Sequence, residues 1–99
     1  MADTASKQLK VTTQNGHCAG HFPGHPIVPA AVQTQWLIDL ANEVNPSANG
    51  WTIQQLKLLR ELAPGRDVTL SIQPGKFGLK AEVSDADGPY AQLTLIAHD

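Results

Sequence analysis

Polar and apolar residues follow two different periods along this chain. From Ala30 to Val44 the apolar residues Val32, Trp36, Leu37, Leu40, Ala41 and Val44 recur at helical spacing, and Pro29 in front of them suits a first helical turn, with its fixed φ and missing N–H. Asn45-Pro46 through Gly50 stops this helix, because the residue before a proline is pushed out of the helical region and Asn, Ser and Gly favour turns. Ala31 and Ile38 lie off the main stripe, so apolar side chains occur on more than one side, as expected for a helix covered by a sheet and by a partner.

Beyond Trp51 the period becomes two. Leu56 and Leu58 flank Lys57; Val68, Leu70 and Ile72 alternate with Thr69 and Ser71; Phe77, Leu79, Ala81 and Val83 run with Lys80 and Glu82 between them. A last run sets Ala91, Leu93, Leu95 and Ala97 against Tyr90, Gln92, Thr94 and Ile96, and the joints Ala63-Pro64-Gly65, Pro74-Gly75 and Asp85 to Pro89 carry turn chemistry. Successive antiparallel strands after one helix predict an α+β unit with a sheet around the helix it buries. Before the helix, residues 1–6 read as a frayed terminus and Leu9 and Val11 as part of a short first strand. Gln14 to Val28 then holds Gly16, Gly20, Pro23, Gly24 and Pro26, too many breakers for a regular element. This predicts a long shaped loop, with Phe22 and Ile27 as its anchors.

Composition narrows the classes. Ninety-nine residues make one domain, 1–99, and 41% hydrophobic with 16% charged residues is globular composition with a lightly charged surface. A net charge of −2 without a basic run excludes sequence-independent nucleic-acid binding. No apolar run approaches the roughly 20 residues of a membrane-spanning helix. The single Cys18 has no disulfide partner within the chain, and no secretory pattern opens it, so a cytosolic, soluble protein is expected.

The segment His21-Phe22-Pro23-Gly24-His25-Pro26-Ile27-Val28-Pro29 resembles the signature loop of the 3-hydroxyacyl-acyl carrier protein dehydratases of fatty acid synthesis over nine consecutive positions. The resemblance continues through Gln33 and through Lys57, Arg60, Pro64, Gly65 and Asp67, covering the chain from about Leu9 to Ala97. The short length and Val32-Gln33-Thr34-Gln35-Trp36 are closest to the small dehydratase-like proteins of aryl-polyene gene clusters.

This resemblance implies the hotdog fold, with an antiparallel sheet wrapped around one long central helix. It also implies a dimer whose sheets join edge to edge and whose active sites lie at the interface. In that family the loop histidine of one subunit faces a Glu or Asp on the partner's helix, fourteen residues after the histidine; here the position is Gln35. Ala30 stands where the family usually has Gly.

Dehydration of a 3-hydroxyacyl thioester needs a base for the proton beside the carbonyl and an acid for the departing hydroxyl, and no cofactor. His21 suits the base, since neutral imidazole is favoured in an apolar tunnel. The free N–H of Ala30 at the helix start is the carbonyl anchor, with Ala31 a weaker one. Gln35 can hold the substrate hydroxyl but has no acidic proton to give. Asp39, at i+4 on the same stripe, is the alternative acid, acting through a water; otherwise His21 shuttles the proton, or a related partner subunit supplies the acid in a heterodimer. A homodimer and a heterodimer are thus both compatible with the sequence.

Plainer readings compete. His17, His21, His25 and Cys18 have spacings that would converge on a metal only in a helix, which the glycines and prolines exclude, so no metal is expected. Trp36 and Phe77 read as core rather than tunnel lining. Lys57, Arg60 and Arg66 are candidates to receive an acidic carrier protein, against the ordinary role of solvating a strand face. Three functions follow: a dehydratase acting on carrier-bound substrates, a partner-dependent or non-catalytic acyl-binding subunit, and, last, a thioesterase.

Overall fold

The computed structural model of the chain describes residues 4–16 and 26–98. Its elements are β1 (Ala5–Lys10), α1 (Ala30–Val44), β2 (Trp51–Leu58), β3 (Asp67–Pro74), β4 (Leu79–Asp85) and β5 (Gly88–Ala97). The strands form one five-stranded antiparallel sheet in the order β1-β3-β4-β5-β2, so the strands on either side of the helix in sequence occupy opposite edges.

The helix begins and ends where Pro29 and Asn45-Pro46 dictate. Pro29 is its N-cap at φ −60° and ψ 150°, and the Asn45 N–H closes the last turn on the Ala41 carbonyl at 2.8 Å. At 15 residues, or about 22 Å, it is a helix of ordinary length rather than the long one expected. It buries Leu37, Leu40 and Ala41 against Val68, Leu70 and Ile72 of β3, Ala81 and Val83 of β4 and Leu93 and Leu95 of β5. Burial of each larger side chain contributes about 1.5–3 kcal/mol, which fixes the helix to one sheet face. Trp51 ties β2 to the helix by donating its indole N–H to Asn42 Oδ1 at 2.8 Å.

Three expectations need correction. Ala5 and Ser6 are not frayed: they pair with Ile72 and Ser71, because β3 offers a partner along the whole of β1. Phe77 is neither strand nor core; it sits in the bend before β4, 69% exposed. In β5 the burial alternates as expected from Ala91 to Leu95, yet Tyr90 is buried too, because a register shift between Val83 and Ser84 turns consecutive residues inward.

The two sheet edges differ in character. β1 carries Lys7 and Lys10, charges of the kind that guard a free edge. β2 instead exposes Ile53, Leu56 and Leu58, and Leu59 follows just beyond it. Ile53 pairs with the inward Leu95 and Leu58 with the inward Ala91, so this apolar strip looks to the same side of the sheet as the helix. No helix among the described residues is long and apolar enough to cross a membrane.

Candidate active site at the helix start

The backbone entering α1 is held from several sides. The Val28 N–H donates to the Leu62 carbonyl at 2.7 Å, and the Val28 carbonyl accepts the side-chain amide of buried Gln33 at 3.3 Å. Pro29 gives its carbonyl to the N–H groups of Val32 at 3.1 Å and Gln33 at 3.3 Å. Ala30 and Ala31 precede these first intrahelical bonds. Among the described residues no side chain caps the helix, and no acidic residue lies in its first turn. Among the described residues, the N–H groups of Ala30 and Ala31 at the start of α1 thus have no acceptor, and they stand at the positive end of the dipole, which suits a carbonyl gathering negative charge. Gln33 Oε1 is buried without a partner among the described residues.

Gln35 and Asp39 lie on the exposed side of the same helix, and Gln35 Nε2 donates to Asp39 Oδ1 at 2.8 Å. The amide thus has its nitrogen fixed and its oxygen available to accept a hydroxyl proton in a hydrogen bond. Asp39 accepts the Gln35 amide directly, so the i+4 relation joins the two candidates into one unit. Gln35 is five residues, about 7.5 Å of helical rise, beyond Ala30. His21 lies outside the described residues, as do His17, Cys18, Phe22 and His25.

Of the three candidate carrier-binding cations, Arg60 and Arg66 both reach Asp85 while Lys57 stands apart on the sheet. Lys57 pairs with Gln92 on the sheet face away from the helix, beside the Gln92–Glu82 hydrogen bond of 2.8 Å. Arg60 points to the β4–β5 turn: Nη2 meets Asp85 Oδ1 at 2.8 Å and the Gly88 carbonyl at 2.6 Å, and Nε meets the Pro89 carbonyl at 3.3 Å. Its guanidinium also lies over the Tyr90 ring, 3.9 Å from the centroid. Arg66 is more exposed, with Nη1 3.9 Å from Asp85 Oδ2.

Asp85 is the centre of this cluster. It accepts the Tyr90 hydroxyl, Arg60 and the Asp87 N–H, and these bonds, Tyr90 first and Arg60 next, lower its pKa from 3.8 to about 2 against the opposing effect of desolvation. Burial and the bond to Asp85 raise the Tyr90 pKa, and the Asp85 bond raises that of Arg60. Sequence reading missed Asp85 and Tyr90, since a partner 25 residues from Arg60 leaves no periodic trace.

Comparison with known proteins agrees with this architecture. One chain of the dehydratase heterocomplex ApeI:P from Xenorhabdus doucetiae superposes with a TM-score of 0.80 at 26% identity, over 97% of this chain and 88% of that one. A hot-dog-like protein of Thermanaerovibrio acidaminovorans gives a TM-score of 0.65 at 15% identity, covering 97% and 82%. An uncharacterized protein of Erwinia carotovora subsp. atroseptica gives 0.65 at 24% identity, covering 95% and 83%. The last two likenesses concern the fold alone. No curated protein sequence matches significantly. The family model for ApeI-like proteins, described as the ApeI dehydratase, matches residues 1–92, and this chain therefore belongs to the ApeI-like dehydratase family.

Proposed function

We propose that the chain dehydrates 3-hydroxyacyl thioesters carried on acyl carrier protein, in fatty-acid or polyene-type synthesis in the cytoplasm. The observation that carries the reading is the start of α1, which has no side-chain cap or acceptor for the Ala30 N–H among the described residues and directly follows the motif containing His21. The thioester carbonyl accepts the Ala30 N–H. His21 removes a proton from the carbon beside the carbonyl, the electron pair forms the C2–C3 double bond, and the 3-hydroxyl leaves as water after gaining a proton. Gln35, its nitrogen tied to Asp39, accepts a hydrogen bond from that hydroxyl and orients it.

The leaving-group proton comes from His21 acting in turn as acid, from Asp39, or from a carboxylic acid of a second hotdog subunit. The apolar edge of β2 favours the last arrangement, because Ile53, Leu56 and Leu58 line a strand whose outer backbone groups await a partner. Assembly there continues the sheet from one subunit to the next. Among the cations, Lys57 and Arg66 remain the better placed to meet an acidic carrier, since the Arg60 guanidinium is already held by Asp85 and two carbonyls. The test is enoyl formation from a 3-hydroxyacyl carrier protein, by the chain alone and with a related hotdog subunit. His21-dependent product supports the proposal, and equal rates with His21→Ala defeat it.

A further inference from the structure

We propose that Arg60 is a positioning residue: by gripping Asp85 and the Gly88 and Pro89 carbonyls, it sets the place of the β2–β3 connection and, through it, of the Ala30 amide. The inference rests on the reading of that amide as carbonyl anchor. It concerns how the anchor is held in place.

The bonds form a continuous path. Leu59 and Arg60 both present their N–H groups to the Tyr90 carbonyl, at 2.9 and 3.4 Å, while the Arg60 side chain reaches Asp85, Gly88 and Pro89 around the same turn. The connection that follows then holds both sides of the long loop. Val28 N–H binds the Leu62 carbonyl at 2.7 Å on the helix side. On the β1 side Val11 N–H binds the Arg66 carbonyl at 2.8 Å and Gly65 N–H binds the Val11 carbonyl at 2.7 Å. Gly65 reaches this geometry at φ +96°, a conformation that favours glycine. Leu62 is fully buried, so the connection is packed as well as bonded. Val28 passes the constraint on, its own carbonyl being held by Gln33, and one residue later Pro29 begins the helix.

Only the planar, forked guanidinium can serve a carboxylate and two carbonyls while lying flat on an aromatic ring. A lysine supplies the charge as a point and cannot span these acceptors. Misplacing an anchor by about 1 Å costs on the order of 100-fold in rate, so a residue that acts only through the backbone it holds can still control turnover.

Arg60→Met and Arg60→Lys, with Asp85→Asn as a second route to the same loss, are assayed on a carrier-bound substrate and on a small N-acetylcysteamine thioester. Positioning predicts a kcat lower by about 10- to 100-fold with KM within about 2-fold, equally on both substrates, and a partial return with Lys. A raised KM confined to the carrier-bound substrate assigns Arg60 to carrier docking and overturns the proposal. Hydrogen exchange provides an arm independent of turnover. In Arg60→Met the Val28 amide should exchange at least about 10-fold faster relative to Leu70 and Leu93 of the sheet, as expected for local opening. Unchanged relative exchange at Val28 overturns the positioning role even if the parent protein has no dehydratase activity, an outcome that by itself would remove only the functional reading.

Discussion

Gln35 donates its side-chain amide to Asp39 across one helical turn, at 2.8 Å, on the exposed side of α1. The position that the resemblance reserves for an acid is thus filled by a neutral group already oriented by an acid. The chain keeps a carboxylate one helical turn from that position, where it fixes the amide.

Gln35→Glu should raise turnover, by up to about 100-fold, because general acid catalysis typically contributes about 10²–10⁴. The introduced carboxyl would share the turn with Asp39, and like charges at that distance raise a carboxyl pKa, keeping it protonated nearer neutrality. The gain should disappear as pH rises through that pKa, which a kcat–pH profile of parent and variant reads directly. No gain at any pH would show that a different acid already serves the reaction.

Asp39→Asn should lower the rate modestly, by about 10-fold or less, with the helix content unchanged. Its side chain is exposed, so the loss is of orientation at Gln35 and not of packing. Equal kcat in the two proteins would separate Asp39 from the site.

The Asp85 cluster makes the fold acid-sensitive in a defined window. A carboxylate held to about 2 in the folded chain, against 3.8 as its ordinary value, stabilises the fold fully above the higher value and progressively less as pH falls toward the lower. The unfolded chain binds the proton first on acidification. Urea midpoints measured from pH 6 to pH 2 should therefore drop more steeply below about pH 4 in the parent than in Asp85→Asn. Parallel curves would mean that the contacts to Tyr90, Arg60 and the Asp87 N–H do not stabilise the ionised form.

Leu56→Lys or Leu58→Lys should weaken assembly while leaving the domain folded, since both side chains are exposed at the β2 edge. Sedimentation should show the mass falling toward that of the single chain of 10.6 kDa, with unchanged far-ultraviolet dichroism. If the variants retain the parent's mass, the subunits meet elsewhere.

The helix was legible in the sequence at both ends because prolines punctuate it, and the strands were legible wherever one face is buried by α1. Legibility failed where tertiary geometry overrides period. Phe77 continues an alternating run but falls in a bend, and Tyr90 breaks the alternation of β5 because a register shift turns it inward. At the helix start, the i+4 relation of Gln35 and Asp39 was readable, as was the place of Ala30 as the first helical residue behind Pro29. The role of Arg60 was not. Basic residues on a strand suggest an acidic partner, and only the return of the β4–β5 turn shows that the acid is Asp85 of the same chain.

The most direct measurement on the central claim is the turnover of Ala30→Pro. Pro29 already has ψ 150°, as a residue before proline prefers, and proline is tolerated in the first turn of a helix, so this change removes one N–H and little else. Carbonyl anchoring by that amide predicts a kcat lower by about 10²- to 10³-fold in a folded protein with unchanged dichroism and assembly. A folded Ala30→Pro protein that turns over at the parent's rate would contradict the account, because the start of α1 would then have no part in the chemistry.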